Sequence, residues 1–226
     1  MMITGASTGI GAQTARRAVE AGWRVALGAR SEERISALAD ELGEGAVGRR
    51  CDVTSLADQE ELAAAALERF GRLDAVFANA GFGAKRGFLE ESEEHWRSMV
   101  LTNVLGVAFS IRATLPHLLD AEVGHYLLTG SVAGRRALQG SLYSSTKWAV
   151  TGMAESLRQE LRQMHHNHSV RVTLIEPGMT DTPFFDQRPG DALAADDIAR
   201  AAIYAVSQPP HVDVNEILVR PVAQSS

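Results

Sequence analysis

The chain has 226 residues, 45% of them hydrophobic and 22% charged, with a formal net charge of −6; that is one domain's worth of chain with a full-sized core, and its acidic balance gives no support to a nucleic-acid or anionic-lipid partner. A single cysteine, Cys51, rules out a disulfide within the chain and suits a reducing compartment. No apolar run approaches the ~20 residues of a membrane helix and no signal peptide opens the sequence, so the expected address is the cytoplasm.

In chain order, short apolar runs predict strands at 1–4, 23–29, 46–51, 73–79, 124–130, 170–176 and 215–221. Amphipathic stretches predict helices near 9–21, 32–42, 55–70, 92–119, 142–165 and 195–207. Strands that are almost continuously apolar and alternate with helices read as an α/β fold, a parallel sheet covered on both faces. No repeat, linker or low-complexity segment divides the chain, so residues 1–226 read as one domain. The first strand is short for a central strand, and that is expected to cost stability. In such sheets ligands sit at the carboxyl ends of strands, where strand order reverses.

The first strand runs into "TGASTGIG", Thr4 to Gly11. Gly5, Gly9 and Gly11 there allow backbone N–H groups to approach a phosphate, and the following helix adds its dipole. A plain tight turn is the alternative. The second strand ends in "VALGAR". An NAD site usually places a carboxylate at this end for the ribose 2′-hydroxyl. Here Arg30 follows instead, and a guanidinium suits a 2′-phosphate, so NADP is expected over NAD. Glu32 and Glu33 read as first-turn acids of a helix capped by Ser31.

Asp52 in "CDVT" could bond an adenine amino group, with Val53 flanking the ring, or could cap a turn. In "ANAG", Asn79 could tie strand ends together while Gly81 allows close approach of a ligand. Further on, "LYSSTKWAV" places Tyr143 and Lys147 four apart on a helix face. Such a pair is either a surface hydrogen bond or the beginnings of proton chemistry.

Seven motifs in order, "TGASTGIG", "CDVT", "ANAG", "LTNVLG", "LLTGSVAG", "YSSTK" and "EPGMTDT", resemble the single-domain, NAD(P)-dependent short-chain dehydrogenase/reductases over nearly the whole chain. The resemblance implies a Rossmann-like, doubly wound three-layer sandwich with a seven-stranded parallel sheet. It also implies an alcohol/carbonyl oxidoreductase with Asn103, Ser131, Tyr143 and Lys147 as catalytic residues. In those terms Tyr143 exchanges the proton and Ser131 bonds the substrate oxygen. Lys147 lowers the phenol's pKa and binds the nicotinamide ribose, and Asn103 anchors a water for proton relay. Asn103 could equally be an asparagine bonded locally in a long helix, and Ser131 a turn residue. Lowering a phenol from ~10 by ~3 units needs roughly 4 kcal/mol from a nearby cation.

The implied cofactor contacts are Gly5, Ser7, Gly9, Ile10, Gly11, Arg30, Asp52, Val53, Asn79, Ala80, Gly81, Tyr143, Lys147, Pro177, Gly178, Thr180 and Thr182. A substrate loop is expected at about 182–194, where Phe184 and Phe185 either cover the substrate or pack into the core. The partner is then a small alcohol or carbonyl. Apolar positions on more than one face of the helices at 92–119 and 142–165 match the family's dimer and tetramer contacts and imply a homo-oligomer. Trp148 reads as packing. His165, His166 and His168 do not converge as metal ligands, and no metal is expected. The rival reading is a catalytically idle dinucleotide-binding regulator or scaffold; the presence of both Tyr143 and Lys147 favours the enzyme.

Overall fold

A computed structural model describes residues 1–121, 123–185 and 189–224. Seven parallel strands form its sheet: β1 (Met2–Thr4), β2 (Val25–Ala29), β3 (Ala46–Arg50), β4 (Ala75–Ala78), β5 (Gly124–Thr129), β6 (Val170–Pro177) and, in edge position, β9 (Glu216–Val219). Their spatial order is β3-β2-β1-β4-β5-β6-β9. The direction of winding therefore reverses between β1 and β4, and the crevice opens there. Short as it is, β1 pairs on both sides, Met2 with Ala26 and with Val76.

Side chains alternate between the two faces of the sheet, and both faces are covered. On one face Met2, Ala26, Val76, Tyr126 and Val172 pack against α3 (Leu56–Phe70), α5 (Gly106–Asp120) and α6 (Leu142–Gln163). On the other, Ile3, Leu27, Phe77 and Ile175 pack against α1 (Gly9–Glu20), α2 (Glu32–Leu42) and α7 (Ala195–Val206). A helix with a small residue at each turn can sit close to a sheet, and α1 presents Ala12, Ala15 and Ala18.

The predicted helix at 92–119 is interrupted. After α4 (Glu93–Val100) the backbone forms a π turn over Leu101–Leu105 before α5. One extra residue in a turn re-aims a side chain, and such bulges recur at functional sites; here the buried side chain is Asn103. By length and composition alone, Glu93–Asp120 is apolar enough to cross a membrane. That corrects the reading that no apolar stretch reaches that length. In the fold its Ser110 and Thr114 are buried in a polar chain with Gln59 and Tyr126, the environment of a core helix. A two-stranded pair, β7 (Thr180–Asp181) with β8 (Leu193–Ala194), ties the base of the 182–194 loop together; within that loop, residues 186–188 lie outside the described residues.

Candidate active site

The carboxyl ends of β1, β2, β4, β5 and β6 surround a cavity of about 950 Å³. At one end is the first turn. Gly5 and Gly9 both have positive φ, at 63° and 55°, a conformation that side chains resist. A Cβ on Gly5 would lie 2.8 Å from the Ala80 backbone. Ser7 and Ile10 also face the cavity. Gly11 does not; it is buried behind the turn, where a Cβ would come within 2.4 Å of the Gly5 carbonyl oxygen. Gly11 therefore lets helix and turn close together rather than contact a ligand.

Arg30 lines the next part of the cavity, as does Arg34 from the first turn of α2. The sequence reading missed Arg34, although its spacing of four from Arg30 was a usable signal. Neither guanidinium has a hydrogen-bond or ion-pair partner among the described residues. Ser31 caps α2, with Glu32 and Glu33 exposed in its first turn. Asp52 lines the cavity beside Val53, and its Oδ1 accepts from both the N–H (3.0 Å) and the hydroxyl (2.8 Å) of Thr54. The turn-capping role is thus present in the structure. Asn79 ties strand ends together, donating to the Thr4 carbonyl at 3.1 Å and accepting from the Thr129 hydroxyl at 3.2 Å.

At the far end Ser131, Tyr143 and Lys147 line the cavity together with Pro177, Gly178, Thr180 and Thr182. Ser141 caps α6 by accepting from the Ser144 N–H, which puts Tyr143 in the helix's first turn. Lys147, one turn on, is buried and donates to the Thr129 carbonyl at 2.8 Å. Its Nζ lies 5.7 Å from the centroid of the Tyr143 ring. Burial pulls the Lys147 ammonium down to about 8. Burial also pushes the Tyr143 phenol up to about 12, against a hydrogen bond from Ser131 that works the other way. The Lys147 ammonium sits over the ring face and is engaged by the Thr129 carbonyl, and in this geometry desolvation is the larger influence on the phenol.

Asn103 does not line the cavity. Its amide donates to the Phe82 carbonyl (2.9 Å) and to the Thr146 hydroxyl (3.1 Å), while its Oδ1 accepts from the Phe82 N–H (3.0 Å). The bonds are long-range, so the local-helix alternative fails. Asn103 stitches the segment after β4 to the helix that carries Tyr143. A Cβ at Gly81 would lie 3.0 Å from Asn103 Oδ1 and 3.7 Å from Lys147 Nζ, which places the two side chains around one backbone position.

Phe184 settles one open question. Its ring packs edge-on to Tyr143 with centroids 5.5 Å apart and edge-on to Phe185 at 5.0 Å. Both phenylalanines line the cavity and remain partly exposed, so they cover the site rather than fill the core. Trp148 is half-exposed on α6, not packed. His165 lies against Glu160, and no three potential ligand side chains converge among the described residues.

The arrangement fits a dinucleotide: a positive-φ glycine turn at a helix start, free guanidinium groups at the end of β2, and a phenol, hydroxyl and ammonium at the other end of one cavity. Comparison with known proteins gives the same frame. The family pattern described as short chain dehydrogenase matches residues 1–192. An uncharacterized oxidoreductase of Staphylococcus saprophyticus is 38% identical, covering 98% of this chain and 96% of that protein. An alcohol dehydrogenase of the archaeon Thermococcus sibiricus, complexed with 5-hydroxy-NADP, superposes with a TM-score of 0.90 at 35% identity, covering 100% of this chain and 97% of that one. The closed form of serine dehydrogenase with NADP+ superposes equally well, TM-score 0.90 at 30% identity, covering 100% and 96%. Solved structures similar to this chain hold NADP in some cases and NADH in others. The chain belongs to the short chain dehydrogenase family of oxidoreductases.

Proposed function

We propose that this protein is an NADP(H)-dependent oxidoreductase that interconverts a small alcohol and its carbonyl, with Tyr143 as the proton donor and acceptor. The observation that carries the reading is the convergence of Tyr143, Ser131 and Lys147 at one end of a cavity whose other end holds the glycine turn and two free guanidinium groups. Gly5, Ser7, Gly9 and Ile10 would hold the pyrophosphate part of the cofactor; Pro177, Gly178, Thr180 and Thr182 would hold its nicotinamide end. When bound, the reduced cofactor supplies a hydride to the carbonyl carbon.

The residues of the chain handle the proton. A carbonyl gaining hydride becomes an alkoxide, and Tyr143, protonated at neutral pH, gives its proton to that oxygen. Ser131 donates a hydrogen bond to the same atom. The phenolate left behind faces the Lys147 ammonium, which is largely charged at pH 7. In the oxidative direction the phenol must be brought down from about 12, and Lys147 is the side chain positioned to do so. Asn103 acts by positioning Lys147's surroundings and the 82–87 segment.

NADP is preferred in this reading because Arg30 and Arg34 line the adenosine end with no partner of their own, and no carboxylate ends β2. Val100, Leu101, Leu105 and Trp148 are exposed on α4 through α6, and they support assembly as a homodimer or homotetramer. Cys51, the only thiol, is buried and pushed up to about 12, which fits residence in the reducing cytoplasm. The test is a panel of carbonyls and alcohols assayed by absorbance of the reduced cofactor, with NADPH and NADH in parallel. The reading expects turnover with NADPH exceeding that with NADH; turnover with neither overturns it.

A further inference from the structure

Gln59 is the polar exception on the inner face of α3. The other buried residues of that helix are Leu62, Ala63, Ala65 and Ala66, and Gln59 is fully buried among them. An amide taken out of water is tolerated where it is hydrogen-bonded, and the partners of this one belong to two separate parts of the cavity's framework. Its Nε2 donates to the Val53 carbonyl and to the Gly106 carbonyl, each at 2.8 Å, and its Oε1 accepts from the Ser110 hydroxyl at 2.5 Å.

Val53 lines the cavity beside Asp52, and the Asp52 N–H is held at 2.9 Å by Asp58 from the first turn of the same helix. Gly106 is the residue at which the π turn over Leu101–Leu105 gives way to α5. The two positions meet directly, since a Cβ on Gly106 would lie 2.9 Å from Val53 Cγ2. From the π turn, contacts run on toward the catalytic end. Thr102 lines the cavity, and Asn103 donates to the Thr146 hydroxyl, which itself donates to the Tyr143 carbonyl at 2.7 Å. A continuous framework thus joins the wall at Val53 to the first turn of the helix that bears Tyr143. The register of the π turn is its sensitive point. A slip of one residue would swing Asn103 by about 100° around the helix axis, off both Phe82 and Thr146.

Resting on the oxidoreductase reading, we propose that Gln59 is a positioning residue that couples the adenosine half of the cavity to its catalytic half. Filling the space beside Val53 fixes that wall, Gln59 passes the restraint to Gly106, and the π turn is held in the register that keeps Asn103 on Phe82 and Thr146. Gln59 touches neither substrate nor cofactor.

The experiment divides the cofactor in two. The full chain reduces a carbonyl that it accepts with NADPH, but with reduced nicotinamide mononucleotide as hydride donor, with and without saturating adenosine 2′,5′-bisphosphate (AMP, should NADH prove the better donor). The readout is the ratio of kcat/KM with the adenosine piece to kcat/KM without it. A general loss of packing lowers both rates together and leaves that ratio in place, whereas loss of coupling removes it. The wild type is expected to be activated roughly 5- to 150-fold, the usual span of coupling between two sites. In Gln59→Met, which keeps the length of the side chain and loses its hydrogen bonds, the ratio falls toward one although the adenosine piece still binds. Ser110→Ala removes only the donor to Gln59 Oε1; it retains the fold and loses part of the activation, so the test stands even where Gln59→Met does not fold. A wild type that uses NADPH yet is not activated by the adenosine piece overturns the proposal. So does full activation in Gln59→Met, or in Ser110→Ala. Failure of the oxidoreductase reading shows separately, as no turnover of NADPH or NADH by the wild type with any carbonyl.

Discussion

Arg135 grips the fully buried carboxylate of Glu176 with two hydrogen bonds of 2.6 Å each, and its outer nitrogen reaches on to Glu216 of the edge strand. The pair joins two pieces of the site. Arg135 follows the short turn Val132–Gly134 that begins at Ser131, and Glu176 precedes Pro177, whose carbonyl lies 3.5 Å from the Ser131 hydroxyl. Removing one partner of such a pair leaves a buried charge uncompensated, which is far more costly than replacing both. Arg135→Met is expected to lower stability by about 3 kcal/mol and to reduce kcat with it; Arg135→Met/Glu176→Met is expected to recover much of the stability. Urea midpoints of the two variants check this, and a double variant as unstable as the single one would contradict it.

Lys147 is a buried cation whose pKa has fallen from 10.5 to about 8. The folded state therefore binds this proton less well than the unfolded chain does. Stability associated with Lys147 is lowest below pH 8, rises through the window from about 8 to 10.5, and is level above it. Keeping the charge at neutral pH costs on the order of 3 kcal/mol. Some of that is offset by the bond to Thr129. Lys147→Met is predicted to abolish turnover while stabilising the fold by roughly 1–2 kcal/mol. Thermal unfolding at pH 7 reads the second effect; a lower midpoint in the variant would contradict it.

His125 supplies an acid-sensitive site remote from the chemistry. The Thr173 hydroxyl donates to the Val214 carbonyl at 2.6 Å, so at 2.7 Å it accepts from His125 Nε2–H. That leaves Nδ1 bare, buried and without a partner. Burial, with Arg171 as a lesser cause, holds the imidazole down at about 3 against 6.5. The contribution to stability is complete above pH 6.5 and is lost as pH falls toward 3, at about 1.4 kcal/mol per unit. His125→Val should flatten this part of the pH–stability curve, as measured by urea unfolding between pH 4 and 7. An unchanged slope would remove His125 as its cause.

The adenosine end gives a prediction about cofactor choice. Arg30 and Arg34 both line it and both lack partners among the described residues. Arg30→Ala/Arg34→Ala is expected to lower the NADPH-to-NADH ratio of kcat/KM by roughly ten- to hundredfold, as for loss of hydrogen bonds to a charged group. The single variants should each account for part of the change. A ratio that does not move would shift the discrimination away from the end of β2.

Much of the architecture was legible in the chain, and for a physical reason: strands buried on both faces must be apolar throughout, so each stands out against the helices around it. Six of the seven strands of the sheet fall within their expected runs, "VALGA" in 23–29 and "AVFA" in 73–79 among them, and β6 passes its own by one residue, Pro177. Most of the candidate cofactor residues do line one cavity, because loops at strand ends are brought together by the winding itself. What the sequence concealed depends on closure in three dimensions. The π turn at Asn103 exists because its amide bonds Phe82 and Thr146, 21 and 43 residues away. The Arg135–Glu176 pair spans 41 residues, and neither partner looks unusual in its own segment. The phenol's environment also depends on closure: burial raises its pKa, an effect that the spacing of Tyr143 and Lys147 along a helix does not reveal. Trp148 was misplaced because an apolar residue at helical spacing does not say which face the monomer covers.

The most direct test of the central claim is Tyr143→Phe, which removes one hydroxyl and keeps the ring against Phe184. Single-turnover reduction of a carbonyl that the wild type accepts is followed by loss of NADPH absorbance, with cofactor affinity measured in parallel. The account predicts a fall of about 10²–10⁴ in the rate, the range for loss of general acid catalysis, with the NADPH dissociation constant changed by less than about threefold, equivalent to under ~0.7 kcal/mol. A variant that turns over within a few-fold of the wild type would contradict it.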